Sequence, residues 1–123
     1  MSGPVVGFVL ETAGLPGPVY VTGDTTLFAG VREVAARFAI DTLIIHVGCV
    51  RFPWLTGRSR YTFDAAEAAE VARLTGARVV VPIHTSGWTH FREGPDAVTA
   101  RFARDGLADR LRMPTPGQPL SLA

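Results

Sequence analysis

Apolar residues in this chain gather in short runs broken by glycine and proline, with three stretches of helical spacing between them. "VVGFVL" (5–10) predicts a strand, "ETAGLPGP" a turn, and residues 19–22 a second strand that pairs with the first as a hairpin. "FAGVREVAARF" places Val31, Val34, Ala35 and Phe38 on one face at helical spacing. "TLIIHV" (42–47) is too short for a helix and predicts a strand ended by Gly48.

The second helix has the clearest boundaries. Asp64 caps its start, and Glu67, three residues on, returns the bond to the backbone. Ala65, Ala68, Ala69 and Ala72 form a narrow stripe suited to close packing on a sheet, and Gly76 is the expected stop. "RVVVPI" (78–83) predicts a strand and "PDAVTARFARDGL" a helix with Pro95 in its first turn. Two short extended pieces are expected in the tail, near 110–113 and 119–122.

The order β-β-α-β-α-β-α-β contains two consecutive β-α-β units, so the inner strands should run parallel with right-handed crossovers. Strand ends 22, 47 and 83 then share one edge, the edge where α/β sheets bind ligands. Asp24, Gly48 and His84 fall there.

At 123 residues the chain reads as a single domain, 1–123. Its 47% hydrophobic content and mean hydropathy of +0.23 are high for so short a chain, and imply that apolar surface is covered by a partner. A formal charge of +1 gives no electrostatic case for nucleic acid or a membrane surface. One cysteine rules out an internal disulfide framework and fits a reducing cytoplasm. The start "MSGPVVGF" lacks the features of a signal peptide, and no apolar run reaches the ~18 residues of a membrane span. A soluble cytoplasmic protein is expected.

Asp24 alone is most simply a turn residue that caps the following helix, and His84 alone a hydrogen-bonded edge histidine. At one sheet edge, a carboxylate and an imidazole are ligand types that a zinc, manganese or iron site uses. Two ligands do not close such a site, since a catalytic zinc takes three protein ligands and an open position. His46 is a candidate for the substrate side, although pleating turns it away from the face of Val47. Trp88 and the 50–60 loop are placed to line a pocket at the same edge. Cys49 with His84 is a further reading, as a nucleophilic pair, against the plain one of a small buried thiol. "GRSRYT" lacks the glycines and lysine of a phosphate loop.

The ordered set "VYVTGDT", "IDTLIIHVG" and "YTFDAAEAAEVARLTGARVVVPIHTSGWTHF" resembles the C-terminal half of metallo-β-lactamase-fold hydrolases, closest to their lactonase-like bacterial branch. The resemblance runs from Val6 to about Pro119. It implies an α/β fold, half of an αββα sandwich: one mixed sheet with helices on one face. It maps the bridging aspartate of a two-metal site onto Asp24 and a ligand of the second metal onto His84. Asp64 and Asp41 match structural positions. The family's His-x-His-x-Asp-His motif belongs to an N-terminal half and is not among the three histidines here, His46, His84 and His90.

The resemblance thus implies a metal-dependent hydrolase in which two divalent ions, zinc or manganese, activate water against a small-molecule substrate. The chain is expected to hold half of that site, with its open sheet face covered by a second copy or by a separate N-terminal half. The alternative is a catalytically inactive remnant, or an interaction module that dimerises through the open face.

Overall fold

The computed structural model describes residues 7–23, 29–47, 63–83 and 95–122. Its elements are β1 (Phe8–Leu10), β2 (Val19–Val21), α1 (Ala29–Arg37), β3 (Thr42–His46), α2 (Ala65–Thr75), β4 (Val79–Ile83) and α3 (Pro95–Arg104), followed by a 3-10 turn at Ala108–Arg110. The strands form one mixed sheet in the order β1-β2-β3-β4. β1 runs antiparallel to β2, and β2, β3 and β4 are parallel. Both β-α-β crossovers advance the same way across the sheet, so right-handed connections lay α1 and α2 on one face. α2 packs between α1 and α3 in that layer.

The core lies between sheet and helices. Leu43 and Ile45 of β3, Val47 just beyond it, Tyr20 of β2 and Val80 of β4 pack with Val31, Ala68, Ala72, Val98 and Phe102 from the three helices. The alanine stripe explains the close approach of α2, and Ala65, Ala68, Ala69 and Ala72 are all buried. Its termini follow the sequence closely. Asp64 Oδ1 accepts the Glu67 amide at 2.7 Å while Glu67 Oε1 accepts the Asp64 amide at 3.2 Å. Gly76 ends the helix with φ of 67°, a left-handed conformation that glycine adopts without steric cost. Arg73 and Arg101 both reach Asp105, at 2.9 and 3.0 Å, and so tie α2 to α3.

On the opposite sheet face the register aligns Phe8, Val21, Ile44 and Val81 across the four strands. Phe8 is 57% exposed and Leu10 53%. Val21, Ile44 and Ile83 are half-buried. An apolar second face is what half of a two-sheet sandwich would carry.

The tail departs from expectation. Residues 108–110 form a 3-10 turn, and the strand expected at 110–113 shrinks to an isolated bridge between Leu111 and Val80. Residues 119–122 join no sheet. Pro114, Pro116 and Pro119 remove the amide donors that a longer ladder there would need.

Candidate functional site

The parallel strands β2, β3 and β4 finish together, with Val21 opposite Ile44 and His46 opposite Ile83. The last rungs of this edge are built unusually. The Thr22 amide donates to the Ile44 carbonyl at 3.1 Å. In a continued parallel ladder the His46 amide would next donate to the main-chain carbonyl of Thr22. It donates to the Thr22 side chain instead, with His46 N to Thr22 Oγ1 at 3.2 Å. The same hydroxyl donates to the Gly23 carbonyl at 3.0 Å. Gly23 has φ of 69°, which swings the chain out of the sheet at that residue.

The place that β2 vacates is taken by Phe63. Its amide donates to the His46 carbonyl at 3.2 Å, and it forms a parallel bridge with Val47. Phe63 is fully buried, and Asp64 beside it starts α2. On the other flank the Val47 amide donates to the Ile83 carbonyl at 3.0 Å. The end of β3 is therefore held on both sides.

Two chain exits leave this edge. Gly23 immediately precedes Asp24, and Ile83 immediately precedes His84. Both ligand candidates lie outside the described residues, as do Trp88, Cys49, His90 and the 50–60 loop. β2 and β4 flank β3, so two strand spacings, about 10 Å, separate the exits. A carboxylate and an imidazole are donor types that divalent metals take. The donor types therefore suit a divalent metal. Among the described residues alone, no three His, Cys, Asp or Glu side chains come together to hold one.

His46 sits between the exits. It shares the second sheet face with Ile44, opposite the face of Val47, and is half-buried beside Ile83. It thus stands at the mouth of the edge rather than in the helix-side core. Asp41 and Asp105 are held below the usual carboxylate range chiefly by hydrogen bonds from Arg78 and Arg73 respectively. Asp41 lies at the start of β3 and Asp105 beyond the end of α3, away from this edge, so their perturbation belongs to structural ion pairs. Thr22 is the contributor that sequence reasoning passed over. Its one signal was a hydroxyl between a β-strand and a glycine turn.

Residues 1–85 match the family described as beta-lactamase superfamily domain. A UPF0173 metal-dependent hydrolase of Methanosphaerula palustris is 28% identical over 117 residues, covering 95% of this chain and 48% of the relative. One of Rubrobacter xylanophilus is 32% identical over 120 residues, covering 96% and 44%. The chain thus spans less than half the length of these relatives, which come from both archaea and bacteria. Among solved structures, a metallo hydrolase from Ignicoccus hospitalis aligns with a TM-score of 0.63 at 28% identity, covering 81% of this chain and 38% of that one. The isothiocyanate hydrolase from Delia radicum gut bacteria aligns at 0.80 over 94% of this chain and 43% of its own. At 15% identity the latter likeness speaks for the fold alone.

Proposed function

Because the chain belongs to the beta-lactamase superfamily, we propose that it is part of a metal-dependent hydrolase and supplies Asp24 and His84 to the metal site. The observation that carries this reading is the pairing of the two chain exits, at Gly23 and Ile83, on either side of His46 at one sheet edge. Asp24 would bridge two divalent ions, zinc or manganese, and His84 would hold one of them. When bound, such ions lower the pKa of water so that it can attack a carbonyl or phosphoryl centre at neutral pH.

The chain's own residues have separate tasks. The Asp24 carboxylate would neutralise part of the cationic charge of the ions it holds. The His84 imidazole would offer a ring nitrogen as a ligand. Val47 and Phe63, both fully buried, exclude water from beneath the edge. His46 and Trp88 are assigned to the substrate side, where a small molecule would enter. The remaining ligands come from outside the Asp24–His84 pair.

Native mass spectrometry with added zinc tests this reading, because it counts metals and subunits together. Metal uptake by the wild type that falls in Asp24→Ala and His84→Ala is the expected result. Equal uptake by all three proteins would overturn the ligand assignment. A wild-type chain that takes up no metal would leave the second reading, a non-enzymatic dimerising remnant. That reading is favoured by one observation, the exposure of Phe8 and Leu10 on the second sheet face.

A further inference from the structure

We infer that Thr22 is the positioning residue of the metal-site aspartate. Its hydroxyl locks the Gly23 turn to the end of β3 and thereby sets where residue 24 enters the site. The inference rests on the reading of Asp24 as a metal ligand.

A strand that must deliver a side chain to an edge and then leave the sheet faces a local conflict. At Gly23, with φ of 69°, the backbone leaves the ladder geometry, and the His46 amide donates to the Thr22 side chain. As an acceptor the Thr22 hydroxyl takes the His46 amide at 3.2 Å, and as a donor it binds the Gly23 carbonyl at 3.0 Å. One oxygen thus ties the strand on which His46 sits to the peptide unit joining Gly23 to Asp24. Thr22 is 2% exposed, so water does not compete for the hydroxyl.

Valine has nearly the same shape and cannot make either bond. With its side chain in place of threonine, both bonds of the Thr22 hydroxyl are lost, and the Gly23 carbonyl is no longer tied to the end of β3. Serine keeps both bonds. These are the properties of a group that orients a ligand without touching the metal, a role whose loss typically weakens metal binding about 10–100-fold.

The test compares zinc affinity, by competition with a chromophoric chelator, in the wild type, Thr22→Ser, Thr22→Val and Asp24→Ala. Hydrogen exchange at the His46 amide is followed in the same proteins. Thr22→Val is expected to bind zinc about 10–100-fold more weakly and to exchange the His46 amide faster, while Thr22→Ser keeps wild-type behaviour in both. If Thr22→Val does not fold, Thr22→Ala takes its place. Wild-type zinc affinity in Thr22→Val alongside a loss in Asp24→Ala would overturn the positioning role and leave the metal reading standing. Unchanged His46 exchange in Thr22→Val would overturn it without reference to metal. A wild-type chain that binds no zinc, or an Asp24→Ala variant that binds it normally, would overturn the metal reading and this inference with it.

Discussion

Arg78 clasps Asp41 through two parallel hydrogen bonds, Nε to Oδ1 at 3.0 Å and Nη2 to Oδ2 at 3.1 Å. The pair closes the edge of the sheet opposite the candidate site. The Asp41 carbonyl accepts the amides of Arg78 and Val79, and the Arg78 side chain also donates to the Leu122 carbonyl at 2.9 Å. The Arg78 hydrogen bonds are the main cause of the lowered Asp41 pKa. Burial pushes the other way, while the Thr42 hydroxyl and the arginine charge add to the lowering. The folded pKa therefore lies below the unfolded value of about 4. The stabilisation is complete above that value and is lost as pH falls through the lower folded pKa. Asp41→Asn should cost about 1 kcal/mol at neutral pH. In urea unfolding, the gap between wild type and variant should hold constant from about pH 5 to 8 and shrink below about pH 4. A gap unchanged at pH 3 would show that the carboxylate charge is not what stabilises this edge.

The reciprocal bonds between Asp64 and Glu67 satisfy two backbone donors at the start of α2. Asp64→Ala should destabilise the fold by about 1 kcal/mol, with the m-value of denaturant unfolding unchanged. Glu67→Ala removes only the return bond and should cost less.

At the other end of α2, space and conformation give separate answers. A Cβ built on Gly76 meets no atom within 4 Å, so the left-handed backbone is the whole obstacle to substitution. Gly76→Ala should cost about 1 kcal/mol, and Gly76→Asn less, because asparagine tolerates that conformation better. The two urea midpoints check the order.

Phe8 and Leu10 give the second sheet face its exposed apolar patch. The purified chain should self-associate as its concentration rises, and Phe8→Lys with Leu10→Lys should suppress this in sedimentation velocity. Thermal stability should change little, since neither residue lies in the helix-side core. Unaltered association in the double variant would move the contact to another surface.

Much of the fold was legible because local rules act within a few residues. Asp64, Glu67 and Gly76 bound α2 where capping chemistry says they should. The runs at 19–21, 42–46 and 79–83 are strands, and the expected parallel pairing holds for all three. The tail was misread because an apolar residue such as Leu111 has a strand's composition whether or not neighbouring donors can extend a ladder. One bridge to Val80 was all that was available.

The sequence by itself determined the alternation of strands and helices and the caps of α2, since each is written in consecutive residues. It also carried the likeness to the beta-lactamase superfamily. Only the tertiary structure decided that Phe63 completes the sheet where β2 departs, and that the Thr22 hydroxyl stands in for a main-chain carbonyl opposite His46. These contacts join residues 17 and 24 positions apart. No periodicity encodes them, because they exist only once the strands lie side by side and an unsatisfied amide must find its acceptor.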